Sequence, residues 1–319
     1  MIKKTKDINL AIKILENDGI IGFPTETVYG LAGNIYSEKA INKIFEVKQR
    51  PKFNPLIVHI SKIGDLDKIA LDIPEKARLL GQHFWPGSLT LLLKKQPSIP
   101  DLITAGKSTV AVRIPNHTLA LALLDALDFP LAAPSANPFG SISPTTAQHV
   151  TDYFPLALEL VLDGGSCENG IESTIIGFED EKVIIYRLGA IAIEEIEAVI
   201  GKTENYISNN EAPVAPGMLK KHYAPKTNFM LTNDVEKEII KHQNLKIGVL
   251  SFSTHYTSKS IVSLKVLSKN KNLKEASKNL YATMHELDKE NLDLIIAEKF
   301  DDIGLGKSIN DRLSRAAEK

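Results

Sequence analysis

The stretch Gly22-Phe23-Pro24-Thr25-Glu26-Thr27-Val28-Tyr29-Gly30, followed by Lys48-Gln49-Arg50-Pro51 and by Asn54-Pro55-Leu56-Ile57-Val58-His59-Ile60, decides how this chain reads. Two apolar, strand-like runs, 20–23 and 56–60, each end beside hydroxyl, cationic or imidazole groups and proline-fixed turns. A sheet presents polar side chains at its strand ends in this way, so the pair reads as a site. Between the runs a helix fits. Ser37 can cap it, and Ala40, Ile41, Ile44, Phe45 and Val47 recur at helical spacing until Pro51 stops it. Lys48 and Arg50 then fall at the helix C-terminus, where the dipole favours cations; they are either solvated end charges or members of the site.

Working outward, the residues after Met1-Ile2-Lys3-Lys4 run into an amphipathic pattern, with Ile8, Ala11, Ile12 and Leu15 on one face and Gly19 beyond it, rather than into a secretory core. No apolar run approaches the roughly 20 residues of a membrane span, so no membrane partner is expected. A length of 319 residues favours two domains, and 43% apolar with 24% charged residues suits packed cores. The single cysteine, Cys167, excludes an intramolecular disulfide framework and suits a reducing, cytoplasmic setting. Net charge is −1, about −3 in residues 1–230 and +2 in 231–319, less basic than a protein living on phosphate-backbone affinity.

Residues 65–70 and 74–84 read as short helices ended by Trp85-Pro86-Gly87, with Trp85 anchoring the turn. Residues 89–93 read as a strand and 97–106 as a loop. The run Val110-Ala111-Val112-Arg113-Ile114-Pro115 embeds an arginine in a strand, where it either pairs with an internal carboxylate or binds an anion. Ala133-Pro134-Ser135-Ala136-Asn137-Pro138 and Ser141-Ile142-Ser143-Pro144-Thr145-Thr146 form a hydroxyl-rich, proline-pinned loop opening onto a helix, read either as a phosphate cradle or as an ordinary turn and cap. Glu172-Ser173-Thr174 opens another strand, and a hairpin-like partner delivers Arg187-Leu188-Gly189. Cys167 has no evident base nearby and is not expected to act as a nucleophile.

From 201 to 228 the periodicity breaks, which marks a linker or a functional lid. His222, between two lysines and a tyrosine, reads as a surface histidine. Residues 229–319 alternate strand-like runs (247–252, 292–297) with an amphipathic helix over 273–287, which argues a small α/β layer. Gly304-Leu305-Gly306-Lys307-Ser308 is not a phosphate loop, because Asp301 stands where that motif needs its first glycine. Lys259, Lys265, Lys269, Lys271, Lys274 and Lys278 read as a solvated face.

The combination Pro24-Thr25-Glu26-Thr27-Val28-Tyr29-Gly30-Leu31, Lys48-x-Arg50-Pro51, Asn54-Pro55-Leu56-Ile57-Val58-His59, Ser135-x-Asn137 and Ser143-Pro144-Thr145-Thr146 closely resembles the YrdC-type domain of L-threonylcarbamoyladenylate synthases. It departs at Ala32 and Asn34, where many relatives carry glycine and aspartate, so a glycine-only backbone angle at 32 is in doubt. Ala215-Pro216-Gly217-Met218, Lys220-Lys221-His222-Tyr223-Ala224-Pro225 and the ending 310–317 resemble the linker and accessory domain of the long, two-domain form. The resemblance implies an α/β fold: a YrdC-type twisted open sheet with helices over 1–201, a linker or lid over 202–228, and a smaller Rossmann-like domain over 229–319.

It implies a nucleotidyltransferase that condenses L-threonine, bicarbonate or CO2, and ATP into L-threonylcarbamoyl-AMP and pyrophosphate. That product feeds the t6A modification of tRNAs reading ANN codons, through a downstream threonylcarbamoyl transferase and with at most a weak tRNA contact. Carried over by position, L-threonine falls to Thr27, His59, Arg113, the backbone at Ala133, and Ser173. ATP falls to Arg50, Asn54, Thr109, Ser135, Asn137, Ser143, Arg187 and Tyr223. Lys48 and Arg50 neutralise charge, Pro24, Thr25 and Pro134 shape the walls, and no covalent nucleophile is expected. Mg2+ would arrive with ATP rather than in a cage made by the protein alone. A carbamoyl-adenylate-forming enzyme of the hydrogenase-maturation type and an RNA-binding module are the alternatives; the first lacks its acylphosphatase-like and zinc-finger segments here, and the second is opposed by the charge.

Overall fold

The apolar runs on either side of the helix become strands of one large mixed sheet. The computed structural model describes residues 2–180, 182–206, 215 and 222–318. In spatial order the sheet runs Lys3–Thr5, Leu160–Leu162, Ile21–Phe23, Gly30–Asn34, Leu131–Ala132, Ile57–His59, Thr109–Arg113, Leu89–Lys94, Thr174–Glu179, Lys182–Arg187 and Glu204–Asn205, eleven strands among the described residues. Period-two alternation sends Leu31 to one face and Ala32 to the other. Helices Glu38–Lys48 and Glu75–Phe84 bury Ile41, Ile44, Phe45 and Leu80 with Leu31 on the first face. Helices Ile8–Glu16 and Thr118–Ala126 bury Ala11, Leu15, Ala120 and Leu123 with Ala32 on the second. Ala32 takes ordinary strand geometry with Ile21 opposite it, so no glycine-only angle is needed there.

Ser37 caps its helix by accepting from the Ala40 amide at 3.1 Å, and Gln49, in left-handed conformation, ends it at the expected place. Strand register then assembles one edge. His59 lies opposite Arg113 in a parallel pair, Leu89 lies opposite Thr174, and Gly30 bridges to Ser135. Thr109 is at the other end of the Arg113 strand, about 13 Å away at 3.3 Å per residue, where it pairs with Lys94.

A second sheet has four parallel strands in the order Asn228–Thr232, Leu294–Glu298, Ile247–Ser251, Ile261–Val266, with helices Val235–Lys241, Leu273–Asp288 and Leu305–Ala317. Parallel neighbours need crossover connections, and helices supply them, which gives the Rossmann-like layer. The strands Asn228–Thr232 and Ile261–Val266 escape the sequence pattern because they are edge strands, only partly buried. The two sheets share apolar packing: Val28, Ile142 and Ile171 of the first unit meet Tyr223, Leu280, Tyr281 and Met284.

Several local expectations change. The loop over 97–106 contains a helical turn, Asp101–Thr104. The segment read as the start of a linker forms the edge strand Glu204–Asn205, beside which Tyr206 stacks on Tyr186. Of the lid-like stretch, residues 207–214 and 216–221 lie outside the described residues, and the expectations for Pro213, Pro216, Gly217, Met218, Lys220 and Lys221 lie there with them. Residues 305–308 open the last helix, entered through Gly304 at φ 52°. Lys259, Lys269, Lys271, Lys274 and Lys278 are exposed, but Lys265 is half-buried and pairs with Glu286 at 2.8 Å. Trp85 anchors its turn by donating from Nε1 to the Leu89 carbonyl at 2.8 Å. Among the described residues no helix is long and apolar enough to cross a membrane.

Candidate functional site

The turn after strand Ile21–Phe23 is held by its own hydroxyls. Thr25 Oγ1 donates to the Val28 carbonyl at 2.7 Å and accepts the amides of Thr27 and Val28. Thr27 Oγ1 lies 2.8 Å from Thr25 Oγ1 and accepts from Arg113 Nη1 at 2.8 Å, so its own proton is directed to Thr25. Arg113 Nη2 sits 2.6 Å from Glu26 Oε1, and both side chains are about 4% exposed. Glu26 also accepts from Ser88 Oγ at 3.0 Å. The arginine embedded in an apolar strand thus has an internal carboxylate and still lines the cleft.

His59 Nδ1 is buried without a hydrogen-bond partner in the same cleft. Burial, then the neighbouring Arg113 charge, lowers His59 to about 3, so its ring is neutral at pH 7. Ser173 Oγ shares a 2.7 Å bond with Thr90 Oγ1 and accepts from Arg187 Nη2 at 3.0 Å, while Arg187 Nε donates to the Ser173 carbonyl.

The other half of the site is cationic. Lys48, at the helix end, is 1% exposed; its Nζ donates to the carbonyls of Ser135 and, at 2.5 Å, Asn137. Burial, then Arg50, pulls its pKa well below the ordinary lysine value. Arg50 donates to the carbonyls of Asn54 and Pro55, and burial followed by Arg187 lowers it to about 9, although a guanidinium stays charged in proteins. Both polar side-chain atoms of Asn54 are buried without a partner, as is Asn137 Oδ1. Buried donors and cations arranged in this way suit a polyanion.

Thr27, His59, Arg113, Ala133, Ser173, Arg50, Ser135, Arg187 and Tyr223 line one cleft together with Thr25, Pro134, Glu172 and His222. Lys48 and Asn137 sit one layer behind Ser135. Asn54 is buried beside Arg50, and Ser143 lies behind Glu172, to which its hydroxyl donates at 2.6 Å. Thr109 is not among the residues that line this cleft; it stands two residues before Ala111, which pairs with Ile57 just after the Asn54 and Pro55 carbonyls that Arg50 holds. His222 is buried rather than at the surface, with its ring 4.1 Å from that of Tyr223; burial lowers it to about 3. Cys167 is buried with its thiol pKa pushed up, so no thiolate is available.

Two carboxylates were missed as site members, Glu26 and Glu172. Each directly precedes a predicted threonine-binding residue, Thr27 and Ser173, and that adjacency was the available signal. Burial alone would raise Glu172, but Arg312, Arg187 and Ser143 hold it at about 2.

Four histidines, His59, His222, His149 and His285, are kept neutral by burial, the last two as a stacked pair with ring centres 4.0 Å apart. Their folded pKa values lie below the unfolded 6.5, so the unfolded state binds more protons as pH falls. Stability is therefore complete above about pH 6.5 and is lost on the way down to about 3, by at most about 1.4 kcal/mol per pH unit for each fully buried ring. Calorimetric melting is expected to show a lower Tm at pH 5 than at pH 7. Equal melting temperatures would mean that these rings are solvated.

Residues 13–189 match the Sua5/YciO/YrdC family, described as "Telomere recombination", and residues 191–318 match the "Threonylcarbamoyl-AMP synthase, C-terminal domain" family. The chain is 37% identical to the threonylcarbamoyl-AMP synthase of Pyrococcus abyssi, across 97% of this chain and 94% of that one. It is 38% identical to the Bacillus subtilis protein of the same name, across 96% and 92%. The crystal structure of P. abyssi Sua5 complexed with L-threonine superposes with a TM-score of 0.92 at 36% identity, covering 99% of this chain and 97% of that one.

Proposed function

This chain belongs to the two-domain threonylcarbamoyl-AMP synthase family, and from that premise we propose how its cleft divides the work of condensing L-threonine, bicarbonate or CO2, and ATP into L-threonylcarbamoyl-AMP and pyrophosphate. The observation that carries the proposal is a single buried cleft with a hydroxyl–arginine–imidazole end and a cationic end.

At the first end Arg113, already oriented by Glu26 and Thr27, receives the threonine carboxylate. Thr27 and neutral His59 face the hydroxyl and amine, and Ser173 and the Ala133 backbone complete the subsite. With His59 neutral, the threonine ammonium gives a proton to solvent, its nitrogen bonds to the carbon of CO2 as one C=O pair moves onto oxygen, and the second N–H proton leaves to solvent, giving the carbamate. At the second end Arg50, Arg187 and Ser135 hold the phosphates, with Lys48 close behind, and Tyr223 covers the nucleotide. A carbamate oxygen forms a bond to the α-phosphorus as the bond to the β-phosphate oxygen breaks and pyrophosphate leaves. Both reactants are anions, so positioning and charge neutralisation supply the catalysis.

Glu172 is already committed to hydrogen-bond donors, and the rest of the cationic end suits phosphate oxygens. Magnesium is therefore proposed to enter on ATP and to add charge neutralisation there, held by phosphates and waters. The product is passed to a downstream threonylcarbamoyl transferase for t6A synthesis in the cytoplasm, and any direct tRNA contact is weak, given a net charge of −1.

Pyrophosphate release, assayed with each substrate omitted in turn, is expected only when threonine and bicarbonate are both present. Serine, shorter by one methyl, should compete best, because that group is worth only about 1–3 kcal/mol in an apolar pocket. Equal ATP turnover without any amino acid would overturn the reading.

A further inference from the structure

Arg312 lies on the last helix of the C-terminal domain, is completely buried, and does not itself line the cleft. Its contacts reach three segments that do. Nε donates to Glu172 Oε2 at 2.8 Å, Nη2 donates to the Leu188 carbonyl at 2.6 Å, and the guanidinium carbon sits 5.0 Å from the centre of the Tyr223 ring. Glu172 precedes Ser173, Leu188 follows Arg187, and Tyr223 is the cleft wall. One side chain of the C-terminal domain therefore ties the two elements that carry Arg187 and Tyr223 at the nucleotide end to the Glu172–Ser173 segment at the border with the threonine end.

The surrounding contacts give the tie little freedom. Tyr281, from the same domain, donates to both Glu172 oxygens at 3.2 and 3.0 Å, and Ser308 Oγ donates to the Gly189 carbonyl at 2.8 Å. The segment bearing Tyr223 is pinned on both sides. The His222 amide donates to the Arg315 carbonyl at 3.3 Å, and the Ala224 amide donates to the Gly140 carbonyl at 2.8 Å. Gly189 and Gly170 mark close approaches. A Cβ on Gly189 would fall 2.3 Å from backbone atoms of Ser173 and Thr174, and one on Gly170 would fall 2.4 Å from the Lys278 carbonyl oxygen.

We propose that Arg312 is a positioning residue for ATP, through which the C-terminal domain sets the geometry of the nucleotide subsite by fixing Glu172, Leu188 and Tyr223 together. A lysine could pair with Glu172 but could not also donate to Leu188 while lying over the tyrosine ring, because only the planar guanidinium presents donors in a fork. Glu172, held by Arg312, Tyr281 and Ser143, serves here as the anchor of a brace rather than as a base. The proposal rests on the assignment of the cationic end to ATP.

The test uses the full chain. Arg312→Met and Arg312→Lys are compared with the wild type in steady-state kinetics for each substrate, in calorimetric binding of α,β-methylene-ATP, and in thermal melting. Arg312→Met is expected to weaken analogue binding and raise the ATP KM at least tenfold while shifting the threonine KM less than threefold, with Arg312→Lys intermediate. Because Arg312→Met alone leaves Glu172 buried without its cation, Arg312→Met with Glu172→Gln serves as a second variant. It should regain melting temperature without regaining ATP affinity beyond that of Glu172→Gln alone. Wild-type affinity for the analogue in either folded Arg312 variant, or equal weakening of ATP and threonine, overturns the proposal and leaves Arg312 as an interface residue. Loss of threonine-dependent pyrophosphate release in the wild type would instead strike the functional reading, and analogue binding, which needs no turnover, keeps the two failures apart.

Discussion

Arg113→Ala is expected to cripple threonine use and to destabilise the fold at the same time. Glu26 would remain buried with one oxygen already lacking a hydrogen-bond partner, and an orphaned buried charge costs about 3–5 kcal/mol. Loss of the charge-assisted pair to the substrate carboxylate adds a ten- to hundredfold fall in kcat/KM for threonine, from about 1.5–3 kcal/mol. The two effects separate in a double variant. Arg113→Ala with Glu26→Gln should recover most of the melting temperature, because the glutamine needs no cation, and should recover none of the threonine affinity. Kinetics and melting curves of the two variants decide the matter; a folded Arg113→Ala enzyme with ordinary threonine kinetics would remove Arg113 from the substrate site.

Lys48→Met is expected to reduce turnover at least a hundredfold while leaving threonine binding within a few-fold of normal. A preorganised donor or cation in a water-excluded site contributes about 2.7–4 kcal/mol to a charged transition state, and methionine keeps the length without the charge. Lys48 is pressed towards its neutral form by burial and by Arg50. A polyphosphate held at Ser135, in front of it, opposes that pressure and favours the ammonium. Steady-state kinetics for ATP and threonine read the loss, and a folded Lys48→Met variant within tenfold of wild-type turnover would move Lys48 out of the mechanism.

The helix between Ser37 and Pro51 could be read from the chain alone because its cap, its apolar spacing and its stop are all local. The strand runs around 20–23, 56–60 and 110–115 were legible for the same reason, since central strands of a mixed sheet covered by helices on both faces carry near-continuous apolar sequence. The edge strands Asn228–Thr232 and Ile261–Val266 were not, because partial burial on both sides leaves no clean period for a pattern to show. His222 was misread because its neighbours in sequence are lysines, whereas burial depends on neighbours in space: Phe139 and Tyr223 enclose it.

Residue type and spacing by themselves determined which family pattern the chain carries, and with it a list of hydroxyl, imidazole and cationic side chains. Sequence could not say that His59 lies opposite Arg113, because that follows from the parallel register of their two strands. Nor could it pair Arg113 with Glu26, 87 positions earlier, or Arg312 with Glu172, 140 positions earlier. Buried ion pairs are chosen by desolvation: a charge taken out of water must find its partner wherever the fold brings one, and only the tertiary structure fixes where that is.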